Sequence, residues 1–313
     1  MSVRATLLLG FIRGVRFVLQ PWLRRKMLED IDPHKFQARI EALARCLPGG
    51  PPTTVDYERA APGGADTIWA IPEGAREGRA LLYFPGGGFM IGSPLTTHKD
   101  MIWRLAQAAN CRVLALDYRL APRYPFPAAL EDAVKAYQWL LGQGYRSENL
   151  VIAGDSAGGN LVFGAALKLR AAGLSLPAAL VALSPWTDLT VSGESTLYNA
   201  DKDLILPGRK DLLKGAHVYL NGADGADPLA SPLFGKFDGF PPTLIQVGSE
   251  EVLLDDSRRL SEKLAAAGVN VQLDVWEKMP HVWHIGARFI PEGKRAIAEI
   301  GTFVKAYLAD SVA

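Results

Sequence analysis

Short apolar runs alternate with longer helical patterns along most of this chain of 313 residues. Several of the runs are almost continuous in apolar residues, which is typical of strands that are buried on both faces of a sheet. The predicted strands are residues 67–71, 80–84, 112–118, 151–154, 179–184, 243–247 and 271–276. The predicted helices are residues 98–109, 128–141, 157–172, 208–220, 256–267 and 292–308. This alternation predicts an α/β fold, with a mostly parallel central sheet and helices on both faces.

Two interruptions organise the chain. The stretch Pro48-Gly49-Gly50-Pro51-Pro52 separates an N-terminal helical segment, residues 1–50, from the main domain, residues 51–313. A long insertion, residues 186–235, lies between two predicted strands. Insertions of this length are usually functional. At the carboxyl end of a parallel strand, this one would cover the crevice where ligands bind.

Composition excludes some classes of protein. The formal net charge is +1, so no global field indicates a nucleic-acid partner. The only cysteines are Cys46 and Cys111, which suits a reducing compartment and predicts a cytoplasmic protein. Residues 1–26 are basic and carry apolar residues at helical spacing, but arginines interrupt them too often for a membrane span. They predict either a helix on a membrane surface or a helix whose apolar face covers the domain.

The stretch Gly154-Asp155-Ser156-Ala157-Gly158 matches the Gly-x-Ser-x-Gly pattern of a nucleophile elbow. A predicted buried strand precedes it and an apolar helix follows it, as the pattern requires. A sharp turn of this kind lifts the serine hydroxyl clear of the sheet, and side chains at the two glycines would collide with the turn. Ser156 is therefore the candidate nucleophile.

A serine nucleophile needs a base within hydrogen-bond reach, and that base needs an orienting acid. His281 and His284 follow the last predicted strand, and we predict that His281 is the base, with His284 as the alternative. The acid should follow the strand at residues 243–247. Spacing alone does not choose among the four carboxylates there, which are Glu250, Glu251, Asp255 and Asp256.

Five motifs in this order resemble the hormone-sensitive-lipase group of α/β-hydrolases, and within it the bacterial carboxylesterases. They are Gly86-Gly87-Gly88-Phe89, Asp117-Tyr118-Arg119-Leu120-Ala121-Pro122, Phe126-Pro127-Ala128-Ala129 with Asp132, Gly154-Asp155-Ser156-Ala157-Gly158-Gly159 and Pro280-His281-Val282-Trp283. Residues 248–256 are most similar to the branch that contains monoterpene lactone hydrolases and acetyl-hydrolases. The resemblance implies an α/β-hydrolase fold with a helical cap, which residues 1–50 and 186–235 would form together.

The resemblance also implies roles for single residues. The family's acid stands where an Asp-Pro-Leu-x-Asp pattern begins, which is the position of Glu251 here; Asp255 is the alternative. The backbone N–H groups of Gly87, Gly88 and Ala157 would form the oxyanion hole.

Pro85 departs from the family, which usually has histidine at this position. None of the three implied oxyanion donors belongs to residue 85, so proline does not remove the hole. We predict that its ring stiffens the loop in place of the lost side-chain contacts. The alternative is a looser hole and a slower enzyme.

These features predict a serine hydrolase that cleaves carboxylic esters of short to medium acyl chain through an acyl-enzyme, with lactones as a further substrate class. The predicted partner is a small-molecule ester, and the protein is predicted to be a monomer or a homodimer. No metal or organic cofactor is implied, because the sequence contains no HExxH motif, no dense Cys/His cluster and no GxGxxG that opens a βαβ unit. The rival predictions are a small-molecule-binding protein on the same fold, which the presence of His281 disfavours, and a lipase that acts at a lipid surface.

The residues predicted to line the substrate pocket are apolar or aromatic, and core packing is the alternative for each of them. They are Phe11, Phe17, Trp22, Met27, Phe89, Trp186, Tyr198, Leu206 and Trp283.

Overall fold

A single sheet organises the fold. The computed structural model describes residues 1–2, 4–6, 9–10, 38–39, 42, 50–65, 67–206 and 208–308. These residues form an eight-stranded sheet of order β1-β2-β4-β3-β5-β6-β7-β8. The strands are β1 Val55–Ala60, β2 Thr67–Pro72, β3 Ala80–Phe84, β4 Arg112–Leu116, β5 Leu150–Asp155, β6 Ala179–Leu183, β7 Thr243–Gly248 and β8 Val271–Trp276. Strand β2 is antiparallel to its neighbours β1 and β4, and β3 to β8 run parallel to one another.

Helices cover both faces of the sheet, as predicted. They are α1 Lys99–Ala109, α2 Ala128–Gly142, α3 Ala157–Ala171, α4 Ser195–Tyr198, α5 Arg209–Leu220, α6 Leu254–Ala266 and α7 Pro291–Tyr307. Helices α1 and α7 pack on one face, and α2, α3 and α6 pack on the other. Adjacent residues of a strand therefore enter different cores: Leu81 packs with α1 and α7, whereas Leu82 packs with α2 and α3.

The predicted strands and helices are all present, with ends that differ by one or two residues. Strand β1 is missing from the prediction. Its sequence, VDYERA, is rich in charge, and only Val55 is buried. A strand at the edge of a sheet has one side in solvent, so it lacks the continuous apolar signal of the central strands.

Parallel strands bring four loops to one edge of the sheet, because their carboxyl ends lie together there. Ser156 follows β5, and the loop that contains Glu251 follows β7. His281 lies after β8, and the glycine loop, residues 85–90, follows β3. The sheet topology alone thus gathers the candidate catalytic residues.

The insertion at residues 186–235 contains α4 and α5, and its base is attached to the start of α6. Asp256 accepts hydrogen bonds from the backbone N–H groups of Thr187 (2.8 Å) and Asp188 (2.9 Å). Asp188 in turn forms an ion pair with Arg259, at 3.1 Å. Trp186 belongs to the main hydrophobic core. The insertion is therefore packed into the domain at its base; its role as a cap stays a prediction.

The start of the chain packs beside the segment that carries His281. Residues 4–6 and 9–10 are helical, and Ala5 and Leu9 are buried against Met279 and Trp283. Among the two predictions for residues 1–26, these contacts favour a helix that covers the domain. The remainder of that segment, with the predicted pocket residues Phe11, Phe17, Trp22 and Met27 and most of the predicted cap segment 1–50, lies outside the described residues. In the described part of the chain, no helix is both long enough and apolar enough to cross a bilayer.

Candidate active site

Ser156 lies at a sharp turn between β5 and α3. Its backbone angles are φ 53° and ψ −118°, a strained conformation for a residue with a side chain. The neighbouring glycines allow the turn: a Cβ at Gly158 would lie 1.9 Å from the carbonyl oxygen of Phe84, and one at Gly154 would lie 2.5 Å from the carbonyl oxygen of Gly158. The strain is thus imposed by the close approach of β5, α3 and β3, and it fixes the Ser156 hydroxyl at the sheet edge.

A continuous chain of hydrogen bonds links three candidate catalytic residues. The Oγ of Ser156 lies 2.9 Å from Nε2 of His281, and Nδ1 of His281 lies 2.9 Å from Oε2 of Glu251. All three residues are buried, with 6%, 7% and 0% of their surface exposed, so water competes little for these bonds. The arrangement is that of a nucleophile, a base and an orienting acid.

The second oxygen of Glu251 is held separately. Its Oε1 accepts hydrogen bonds from the Oγ of Ser184 at 2.8 Å and from the backbone N–H of Gly248 at 2.5 Å. Ser184 Oγ also accepts the N–H of Val282, at 3.2 Å, which ties the acid to the residue that follows His281. These donors fix the rotation of the carboxylate, so that Oε2 faces the imidazole. Ser184 was not foreseen from the sequence.

Asp255, the alternative acid, points elsewhere. Its carboxylate accepts the N–H of Ser195 at 2.8 Å and the hydroxyl of Tyr198 at 3.0 Å, both in the insertion. The structure thus brings Glu251, and not Asp255, to His281.

His284, the alternative base, is also buried away from the nucleophile. Its Nε2 lies 2.9 Å from Oε1 of Gln246. Burial lowers the pKa of His284 to about 3, so the ring is neutral. Its environment suits a core histidine.

Electrostatics favour proton uptake by His281. Burial acts to lower its pKa, but the hydrogen bond and charge of Glu251, together with the charge of Asp203, outweigh burial and raise the pKa above its ordinary value. Asp203 belongs to the insertion and is itself fully buried, where its carboxylate accepts the N–H of Val252 at 2.9 Å. Burial raises the pKa of Glu251, and the bonds from His281 and Gly248 act against that rise.

The glycine loop and the start of α3 carry N–H groups without partners in the part of the chain that the structure describes. Within the described residues, the N–H groups of Gly87, Gly88 and Ala157 have no hydrogen-bond acceptor. Ala157 is the first residue of α3, where N–H groups lack partners inside the helix and the helix dipole is positive. These groups are free to donate to a bound oxyanion.

A buried hydrogen-bond network around Asp155 holds the start of the glycine loop. The N–H of Gly86 donates to Oδ1 of Asp155 at 2.9 Å, and the hydroxyl of Tyr83 donates to the same oxygen at 2.5 Å. His98 Nε2 lies 3.2 Å from the other oxygen of Asp155. Although burial acts to raise it, the pKa of Asp155 is held below its ordinary value by His98, Tyr83 and Gly86. Asp155 belongs to the Gly-x-Ser-x-Gly motif, but neither its support of the loop nor that of His98 was predicted from the sequence.

Pro85 is buried at the start of this loop, and its carbonyl oxygen accepts the hydroxyl of Tyr118 at 2.6 Å. The hydrogen bonds described above for this loop do not involve the side chain of residue 85. The loop is therefore supported without the histidine that the family usually has.

The predicted pocket residues differ in burial and position. Phe89 of the glycine loop and Trp186 are buried in the main core, with ring centroids 6.2 Å apart. Trp283 is buried in a separate cluster, where it packs against Trp276 at 5.6 Å. Tyr198 is 47% exposed and hydrogen-bonded to Asp255, and Leu206 packs against the main core.

The fold and the site define a class of protein, a hydrolase with a serine, a histidine and a carboxylate at the carboxyl edge of an α/β sheet. Comparison with known proteins agrees. The model of a family described as "alpha/beta hydrolase fold" matches residues 81–285. An acetyl-hydrolase of Streptomyces hygroscopicus is 46% identical over 237 residues, which are 76% of this chain and 78% of that protein. An esterase of Acinetobacter venetianus is 34% identical over 287 residues, 91% of this chain and 93% of that protein.

Among solved structures, an esterase from the bacterial hormone-sensitive lipase family is 41% identical, with a TM-score of 0.89 and 99% of each chain covered. The chain belongs to the α/β-hydrolase family, in its bacterial hormone-sensitive-lipase group, and is a carboxylic ester hydrolase. The predicted fold and family are confirmed.

Proposed function

We propose that Ser156, His281 and Glu251 form the catalytic triad of this esterase, and that it hydrolyses esters of short to medium acyl chain through an acyl-enzyme. The observation that carries the proposal is the unbroken hydrogen-bond chain from Ser156 Oγ through His281 to Glu251, with two distances of 2.9 Å. It supports a nucleophile with its base in place before substrate arrives.

The three residues have separate roles in the reaction. His281 Nε2 takes the proton of Ser156 as Oγ attacks the ester carbonyl, and it then gives that proton to the leaving alcohol oxygen. In the second half of the reaction, His281 takes a proton from the water that attacks the acyl-enzyme and returns it to Ser156 Oγ as the carboxylic acid leaves. Glu251 holds the imidazole in the tautomer that carries a proton on Nδ1, and it stabilises the imidazolium that forms.

The negative charge of each tetrahedral intermediate would rest against the N–H groups of Gly87, Gly88 and Ala157. Their lack of acceptors among the described residues supports this role, because preorganised donors cost no reorganisation during the reaction. Pro85 leaves all three donors in place. We infer that the network of Asp155, described above, holds the hole in the absence of the family histidine.

Replacing Gly87 by alanine is expected to lower kcat by about 10²–10³, the usual cost of one oxyanion donor. The residue has φ +134°, and a Cβ would lie 2.0 Å from the carbonyl oxygen of Ile91, so the loop must move. Steady-state kinetics on p-nitrophenyl acetate measure the change. Gly74→Ala is the matched control, because Gly74 also has positive φ (+73°) but nothing within 4 Å. An equal loss of kcat in both variants would exclude the loop as the source of the donors.

The nucleophile can be identified by covalent trapping. The Oγ of Ser156 should attack the phosphorus of a fluorophosphonate and displace fluoride, which leaves a stable phosphonyl ester on the serine. We expect loss of ester hydrolysis in proportion to labelling, with the adduct mapped to the peptide that contains Ser156. Undiminished hydrolysis by fully labelled protein, or an adduct on another serine, would contradict the assignment.

The substrate range is the less constrained part of the proposal. The name of the Streptomyces relative, an acetyl-hydrolase, supports short acyl groups. Lactones remain a proposal from the resemblance of residues 248–256. Contact of residues 1–26 with a membrane, a monomeric or dimeric state and a cytoplasmic location stay predictions from the sequence.

A further inference from the structure

Helix α5 of the insertion lies against the glycine loop. The ring of Tyr219 stacks on that of Phe89, with centroids 3.6 Å apart and planes 4° from parallel. Gly215 is four residues before Tyr219 on the same helix, so both residues lie on one face. Gly215 therefore faces the loop one helical turn away from this aromatic stack.

Packing does not require glycine at position 215. A Cβ there would lie 3.5 Å from Cε of Met90 and 3.6 Å from Cη2 of Trp186, which are ordinary contacts with side-chain tips. Apart from the chain neighbours and the backbone of its own helix, no other described heavy atom lies within 4 Å. At Gly301, by contrast, a Cβ would lie 2.3 Å from the carbonyl oxygen of Ala108, so close packing requires glycine. Because glycine weakens a helix interior relative to alanine, stability does not explain Gly215.

The side chains that face Gly215 belong to segments beside the proposed reacting centre. The Cε of Met90 lies 3.7 Å from the position of a Cβ at Gly88, one of the proposed oxyanion donors. On the other side, the backbone N–H of Trp186 donates to the carbonyl oxygen of Ser156 at 3.0 Å. The two side chains that face Gly215 thus belong to segments in contact with the elbow and the glycine loop.

The strand order indicates which part of an ester lies there. Strand β3, which leads into the glycine loop, is on one side of β5, whereas β6, β7 and β8 are on the other. His281, after β8, must protonate the leaving alcohol, so the alcohol lies toward the β8 side. The acyl group is then directed toward the glycine loop and the face of α5.

We propose that Gly215 is a specificity-determining residue, whose missing side chain leaves room between Met90 and Trp186 for acyl chains longer than acetyl. This inference rests on the proposed function, because it takes Ser156 and the glycine loop as the reacting centre. According to this inference, the residue at one position on α5 sets the maximum length of the acyl chain that the site accepts.

Gly215→Phe is expected to lower the ratio of kcat/KM on p-nitrophenyl octanoate to that on p-nitrophenyl acetate by at least about tenfold, since a misfit of a few methylenes costs that much in an apolar pocket. Gly215→Ala, whose methyl group fits at the distances above, should lower the same ratio less. Adding Met90→Ala to Gly215→Phe should restore part of the ratio, because it removes the side chain that faces the new ring. Acetate esters of longer alcohols, assayed in parallel, show whether the substitution instead changes the preference for the alcohol group of the ester.

The control is Gly142→Phe, at an exposed helical glycine with nothing within 4 Å. An unchanged octanoate-to-acetate ratio in folded Gly215→Phe would overturn the proposal, as would a change confined to the alcohol series. Failure of the proposed function would look different: the fluorophosphonate would not label Ser156 in the wild-type protein.

Discussion

Ser156→Ala is expected to lower kcat on p-nitrophenyl esters by a factor on the order of 10⁶, as removal of the nucleophile of a catalytic triad does. The Ser156 hydroxyl lies 2.9 Å from Nε2 of His281 and directly follows the end of β5. Alanine leaves the glycine turn and the helix unchanged, so the loss should be in kcat and not in folding. Hydrolysis of p-nitrophenyl acetate, butyrate, octanoate and laurate, with thermal unfolding as the check on folding, measures both quantities.

The same panel tests the glycine loop with its proline. Activity on the short chains that disappears in Ser156→Ala would show that the loop is competent with Pro85 in place. Absence of serine-dependent activity on every chain would contradict that expectation. Pro85→His would then distinguish the causes: recovery would assign the defect to the loop, and continued inactivity would favour a binding protein on this fold.

Much of the site follows from local sequence. A glycine on each side of a serine, between a buried strand and a helix, specifies the turn at Ser156 without reference to the rest of the chain. His281 follows from its place after the last strand, because parallel strands bring their carboxyl ends to one edge. These predictions needed only local patterns and the order of the strands.

Spacing alone did not choose the acid, and Glu251 was predicted only from the family resemblance, with Asp255 as the alternative. The two residues are four apart in the segment after β7, and local pattern does not predict which of the two side chains points toward His281. Hydrogen bonds made in the folded chain distinguish them. Gly248 at the end of β7 and the distant Ser184 both donate to Glu251, whereas the distant Ser195 donates to Asp255 from the insertion. Ser184 carries no motif, and its role arises from partners 67 and 98 residues away.

Aromatic composition likewise did not predict where each ring lies. Trp186 and Trp283 are both buried, but Trp283 packs against Trp276, whereas the backbone N–H of Trp186 donates to the carbonyl oxygen of Ser156 in the elbow. The sequence did not indicate a role for Gly215, because that role depends on Met90 and Trp186, which face it only in the folded structure.

Glu251→Gln is expected to lower kcat at neutral pH by about 10⁴, for a reason specific to the surroundings of this carboxylate. The N–H of Gly248 and the hydroxyl of Ser184 both donate to Oε1, so an amide would place its oxygen there. Its NH₂ would then face Nδ1 of His281. The imidazole would be driven to the tautomer with a proton on Nε2, which cannot accept the proton of Ser156.

The pH profile separates this cause from a general disturbance. His281 must be neutral to act, so kcat/KM falls as the pH decreases through its pKa, and Glu251 holds that pKa above the ordinary value. Loss of the carboxylate charge should move the acid limb of the profile to lower pH while the plateau falls. Asp255→Asn is the matched control and should keep kcat within about tenfold and the limb in place, because Asp255 contacts Ser195 and Tyr198 instead of the imidazole. The opposite pattern, a large loss in Asp255→Asn and a small one in Glu251→Gln, would mean that in solution the loop after β7 presents the other carboxylate to His281.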